Sequence, residues 1–387
     1  MTENLLPLLS GLEGRLGGLD GKRILVRSDL NVPIKDGVIQ DDLRIKESIK
    51  TLKWLQDRGS SVVVCTHLGR PSSENDLKFS VEPLRKKLDS LLPGLQLLEN
   101  LRFNSGEVNN DQAFVTWLVD GAGGRKFDGF VNDAFGASHR SHASIVGPPE
   151  FLPSAAGYLL QGEVQILEKL LLKPKKPFIA ILGGSKVSDK LGVIESLLNQ
   201  VDEILIGGGM CFTFLASKGI PIGGSLVENE MIKTCADLID SGAPIRLPLD
   251  FTGLAPGGVI GDPSAGGEVR QFGRSLPEGW MGLDIGPGSA VEFSDAIYEA
   301  GSVLWNGPLG VFEDERFMAG TKTVALAMAE SRAFTVIGGG DSASAVKKFG
   351  VADRIDHIST GGGATLEFLE KSDLPGMYAL RNSQRES

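Results

Sequence analysis

Apolar residues along the chain fall into two alternating rhythms. Short runs rich in Ile, Val, Leu and Phe occur at 23–27 (RILVR), 61–66 (SVVVCT), 95–98 (LQLL) and 128–131 (DGFV). Four more follow at 178–182 (FIAIL), 203–206 (EILI), 302–305 (SVLW) and 334–337 (FTVI). Several are continuously apolar rather than alternating, which predicts parallel strands covered on both faces. Between them lie stretches with helical spacing. In 44–58, Ile45, Ile49, Leu52 and Leu55 recur at i, i+4, i+7 and i+10. Segments 80–92 and 189–201 behave likewise. Strand–helix alternation predicts an α/β protein built from two doubly wound parallel sheets.

Length adds a division. A single core stops growing at roughly 250–300 residues, and the chain has 387. The segment 169–177, KLLLKPKKP, places two prolines and a basic cluster between a helix and a strand, and is the expected boundary. Residues 1–170 carry 20 basic and 22 acidic side chains, net −2; residues 171–387 carry 19 and 27, net −8. The overall charge of −10 disfavours a nucleic-acid-coating role. No run of 18 apolar residues is present, so no membrane span is expected. The N-terminus lacks the basic start of a signal peptide. Three cysteines, Cys65, Cys211 and Cys235, are too few for a disulfide framework and point to a reducing cytoplasm.

Glycine is the abnormal count: 51 of 387, against roughly 7% in average chains. The glycines cluster after apolar runs, at 183–184, 207–209, 338–340 and 361–363. Such clusters bring backbone amides close to an anion. In the first half, cationic and polar residues follow the expected strands: RSDLNVP (27–33), THLGRP (66–71), ENLRF (99–103) and NDAFGASHR (132–140). Open α/β sheets bind ligands at the carboxyl ends of their strands. His67, Arg70, Arg102 and Arg140 are therefore expected on one surface, suited to a phosphorylated or carboxylated small molecule. The pair His139 and His142 has no Cys or Glu nearby to complete a zinc site.

The second half has nucleotide-directed chemistry. GGSKVSDK (183–190) follows a strand and opens a helix, with Lys186 and Lys190 four apart on one expected helix face. It is not a Walker A loop, and no dinucleotide fingerprint is present. GGGDS (338–342) offers amides, a carboxylate and a hydroxyl, which suits phosphates with Mg²⁺. LWNGPLGVFE (304–313) ends in a carboxylate placed to hold a ribose.

These motifs, with DDLRI (41–45), NDAFGASHRSHAS (132–144), GGGMCFTF (207–214), GGGDSASA (338–345) and STGGGATLE (359–367), resemble those of the phosphoglycerate kinase family, in the family's order and over nearly the whole chain. Departures are small: Ser28 stands where Val is commoner, Ser342 replaces Thr, and LDFTGLAPGG (249–258) lacks the usual acidic pattern.

The resemblance implies two domains joined by a hinge. Residues 1–168 would bind 3-phosphoglycerate or 1,3-bisphosphoglycerate, residues 169–360 would bind ADP or ATP with Mg²⁺, and 361–387 would return to the first domain. Asp29 and Asn31 would hold the glycerate, with Arg44, His67, Arg70, Arg102 and Arg140 as the basic patch. Lys186 and Lys190 would meet the phosphates. Gly208, Gly209 and Gly282 would lie by the adenine, and Glu313 would take the ribose. Gly339, Gly340, Asp341 and Ser342 would meet phosphates, with Asp341 on the metal. Arg44, Lys186, Lys190 and the amides of Gly361, Gly362 and Gly363 would stabilise the transferring phosphoryl group in a cytoplasmic monomer. A different carboxylate kinase or ligase would share the basic patch, and a non-catalytic metabolite sensor is the alternative of another class. A dehydrogenase is weaker, for want of the fingerprint.

Overall fold

The computed structural model describes residues 5–383, which form two compact units. The first comprises residues up to Leu167 together with those from Lys371 onward, and the second runs from Glu168 to Glu370.

The first unit holds a five-stranded, all-parallel sheet. Its spatial order is Gln96–Leu97, Ser61–Cys65, Arg23–Ser28, Gly129–Asp133, Ser154–Ala156. In chain order that is 3-2-1-4-5, a doubly wound arrangement whose direction of winding reverses between Arg23–Ser28 and Gly129–Asp133. These two strands are buried almost throughout, which explains their apolar continuity. The helix Leu43–Gln56 buries Ile45, Leu52 and Leu55 against one face. Asp133, at the end of its strand, accepts a hydrogen bond from the Leu159 amide at 2.9 Å and so caps the helix Tyr158–Leu172. Burial pushes the Asp133 carboxyl up to about 7.

The second unit repeats the plan with six parallel strands. Their order is Ile245–Arg246, Glu203–Ile206, Phe178–Leu182, Ser302–Asn306, Phe334–Gly338, His357–Ile358. The switch point lies between Phe178–Leu182 and Ser302–Asn306, the strands that lead into GGSKVSDK and NGPLG. Segment 249–258 contributes Phe251–Leu254 to a three-stranded antiparallel sheet with Val269–Phe272 and Met281–Ile285. No strand was expected there, because Val269–Phe272 is mostly exposed and glycine and proline interrupt the stretch. The helix expected at 189–201 is shorter, Leu191–Leu197, with Lys190 as its N-cap. Lys186 and Lys190 therefore lie in the loop ahead of the helix and not on one of its faces. The helix Gly363–Lys371 is followed by Pro375–Asn382, in the first unit.

Candidate functional site

At the carboxyl ends of the first unit's strands, chain direction and winding bring cations together. Arg27 is the penultimate residue of one strand, His67 follows the next, and Arg102 sits in the turn Leu101–Phe103 after a third. Arg44 lies in the first turn of its helix, 3.1 Å from Asp29 and donating to the Asn31 carbonyl at 3.1 Å. Asp29 is 3% exposed, so Arg44 supplies the charge that a buried carboxylate requires. The Asn31 side chain accepts from the Gly69 amide at 2.9 Å, and Arg102 donates to the Gly69 carbonyl at 2.7 Å.

The proximity of these groups shifts their proton affinities. Burial holds His67 well below the ordinary histidine range, with Arg27, Arg102, His142 and Arg44 adding to the effect. Burial also lowers Arg102, and Arg27, Arg70 and Arg140 lower it further. His142 is pushed down to about 4, by burial first and then by Arg102, Arg27 and Arg140. Arg70 and Arg140 are exposed. Arg102 Nε is buried with no protein partner. Cations packed this closely repel one another, so the face is built for a multiply charged anion.

In the second unit a cavity of ≈ 350 Å³ opens at the switch point. Gly208, Gly209, Gly282, Glu313 and Asp341 line it, with Phe212, Phe251, Leu226, Ile260 and Met281 giving it apolar walls. Gly208 has φ +64°, and a Cβ there would lie 2.7 Å from the Gly184 amide nitrogen. Only glycine allows that approach. The antiparallel sheet supplies Phe251, Met281 and Gly282, so the segment without a strand signature builds one wall. An apolar slot rimmed by glycine amides and carboxylates suits a purine nucleoside.

Lys190, half-buried, donates its Nζ to Asn306 Oδ1. Burial holds its ammonium below the usual lysine value, while Asp189 and Asp341 oppose that shift. Asn306 is 1% exposed, and its Nδ2 has no protein partner. Gly339 approaches so closely that a Cβ would stand 3.0 Å from this nitrogen. Lys186 is exposed in its loop, which Glu228 holds by accepting from the Ser188 amide at 3.1 Å. Ser342 is fully buried, and its hydroxyl accepts from the Gly307 amide at 2.6 Å. The helix Gly340–Lys348 has Gly339 as its N-cap. Asp341 is therefore inside the first turn and exposed, and it caps nothing. Gly361 donates to the Ser359 hydroxyl at 3.1 Å, and Gly362 has φ +55° ahead of the helix Gly363–Lys371.

Sequence reading missed Asn306, Arg27, Glu107 and Ser144 as parts of these sites. Asn306 and Arg27 stood inside quoted motifs, so position at a strand end was the available signal. Ser144 closes the motif NDAFGASHRSHAS, and Glu107 carried no signal. Among the described residues no group of three or more His, Cys, Asp and Glu is placed to hold a metal. All three cysteines are buried, and burial raises their thiols, Cys65 and Cys235 to about 12. No helix among the described residues is long and apolar enough to cross a membrane.

The family model described as phosphoglycerate kinase matches residues 16–96 and 93–372. The phosphoglycerate kinase of Rubrobacter xylanophilus is 46% identical, over 94% of this chain and 96% of its own. The cytosolic phosphoglycerate kinase of Triticum aestivum is 44% identical, over 95% and 98%. Among solved structures, phosphoglycerate kinase from Coxiella burnetii superposes with a TM-score of 0.86 at 33% identity, covering 99% of this chain and 100% of its own. That from Pyrococcus horikoshii gives 0.81 at 31% identity, covering 96% and 98%. On the matched sequence, the two parallel sheets and these relatives together, the chain belongs to the phosphoglycerate kinase family.

Proposed function

We propose that the chain catalyses reversible, Mg²⁺-dependent phosphoryl transfer from 1,3-bisphosphoglycerate to ADP, giving 3-phosphoglycerate and ATP. Membership of the family makes it a phosphotransferase. The observation that carries the finer reading is the division of labour. One unit has a packed cationic face, and the other has a glycine-rimmed apolar slot with Lys190 and Asp341 beside it.

Asp29 and Asn31 hold the glycerate, while Arg70, Arg102 and Arg140 neutralise its phosphate and carboxylate and His67 lies on the same face. Gly208, Gly209 and Gly282 admit the adenine and Glu313 takes the ribose hydroxyls. Gly339, Gly340 and Ser342 shape the phosphate end. Lys186, Lys190 and Arg44, with the amides of Gly361, Gly362 and Gly363, stabilise charge on the transferring group. Such transfer needs little covalent help, so catalysis is positioning, charge stabilisation and exclusion of water. Asp341 would hold Mg²⁺, which would supply charge stabilisation at the phosphate oxygens. Because each substrate has its own unit, transfer requires the two units to bring them together. A role in glycolysis, as a cytoplasmic monomer, follows from this reading. A coupled assay with 3-phosphoglycerate, ATP and Mg²⁺ tests it: turnover is expected, and folded protein without turnover refutes it.

A further inference from the structure

Behind the cationic face lies a buried polar chain to which the reaction assigns no part. Arg27 and Glu107 are both 0% exposed. A guanidinium out of water is costly unless its charge and donors are met. Here its Nη2 lies 3.9 Å from Glu107 Oε1, and its Nη1 donates to the Ser28 carbonyl at 2.7 Å. Its Nε donates at 2.8 Å to the Ser144 hydroxyl, which in turn donates to Glu107 Oε1 at 2.6 Å. The Ser144 amide donates to the other Glu107 oxygen at 2.9 Å. The last contact of the guanidinium is Nη2 to His67 Nδ1, 3.0 Å.

The chemistry of the partners fixes the direction of this last bond. A guanidinium only donates, so Nδ1 must accept, and a ring nitrogen that accepts carries no proton. The ring proton is then on Nε2. We propose that Glu107 and Arg27 are positioning residues that hold His67 as its Nε2–H tautomer, so that His67 serves the anion-binding face as an oriented hydrogen-bond donor and not as a further cation. The benefit to binding rests on the phosphoglycerate reading of that face; the tautomer does not.

The other groups around the ring point the same way. Arg102, His142 and Arg44 also act on His67, and each of them disfavours an imidazolium. His142 Nδ1 is 4.0 Å from Glu107 Oε1, but burial and the neighbouring arginines keep that ring neutral near pH 7. Glu107 thus remains the counter-charge of Arg27. A neutral donor held among arginines adds a directional contact without adding repulsion to the empty site. Loss of Glu107 would leave Arg27 buried without its counter-charge and free to shift from Nδ1.

The test is long-range ¹H–¹⁵N spectroscopy of the ¹⁵N-histidine-labelled full chain between pH 5.5 and 8. His67→Gln assigns the signal among the four histidines. Expected is one unprotonated Nδ1 and one protonated Nε2, unchanged across that range. In Arg27→Met and Glu107→Gln, His67 should show mixed tautomers or begin to titrate. KM for 3-phosphoglycerate should rise about 10-fold with kcat within about threefold, the effect of losing one hydrogen bond to a charged ligand. An Nδ1–H form, or an imidazolium near pH 6.5, in the unaltered protein overturns the proposal even if neither variant folds. So does an unchanged tautomer in folded Arg27→Met. If the Nε2–H form is present but 3-phosphoglycerate is not turned over, the substrate reading fails and the tautomer assignment stands.

Discussion

Replacing Asn306 by alanine is the sharpest probe of the nucleotide side. Asn306 closes the strand Ser302–Asn306 and is almost wholly buried. Its Oδ1 receives the Lys190 ammonium, and its Nδ2 has no protein acceptor. A hydrogen bond to a charged group contributes about 1.5–3 kcal/mol. At about 1.4 kcal/mol per decade of rate, loss of that anchor should lower kcat/KM by roughly 10- to 150-fold if Lys190 steadies the transferring phosphoryl group. A second effect has a definite sign. Burial already holds the Lys190 ammonium below its usual value. An acceptor that favours the charged form is removed, so the value falls further and the alkaline limb of the pH–rate profile moves to lower pH. Asn306→Asp keeps an acceptor for Lys190 but adds a charge beside the phosphates, so it should regain the alkaline limb while raising the KM for nucleotide. Steady-state kinetics from pH 6 to 10, with circular dichroism to verify folding, read all three effects. A folded Asn306→Ala enzyme within threefold of the original kcat/KM, with the alkaline limb unmoved, refutes the reasoning.

Arg44→Ala should lower kcat and kcat/KM together by roughly 10²–10³-fold, as for loss of one donor used only in the transition state; a raised KM with kcat intact makes Arg44 a ground-state binder. Asp341→Asn should leave the thermal midpoint close to that of the original protein, since Gly339 is the cap, while Mg-nucleotide binding weakens and kcat falls. Full activity at limiting Mg²⁺ overturns the metal assignment. Asp133 has a folded value of about 7, above the roughly 3.9 of an unfolded aspartate. Its contribution to stability is therefore complete below about pH 4 and is lost as pH rises through 7, with a limiting slope of about 1.4 kcal/mol per pH unit. Urea midpoints of Asp133→Asn between pH 5 and 8 should show that slope removed, and identical slopes in the two proteins contradict the burial argument.

The amino-acid sequence by itself determined the alternation of strands and helices, and the residue types that follow each strand. Both are local properties. A parallel strand covered on two faces must be apolar along its length, so RILVR, SVVVC and FIAIL announce themselves. Glycine clusters and arginines after such runs are equally local, which is why His67, Arg102, Gly208 and Asp341 were legible. The exposed strand Val269–Phe272, broken off from its neighbours by glycines, was not, although its sheet walls the second unit's cavity.

Tertiary structure alone decided which of these pieces meet. Lys190 finds Asn306 across 116 residues and Arg27 finds Ser144 across 117. Both encounters depend on sheet order 3-2-1-4, which places the first and fourth strands side by side in each unit. No periodicity within a strand encodes its neighbour, because pairing is chosen by the packing of helices on both faces and by the handedness of every crossover. Glu107 shows the limit most clearly. As a lone glutamate in a polar stretch it reads as a solvated surface charge, yet the fold buries it completely against Arg27 and Ser144, where its charge has no substitute from water.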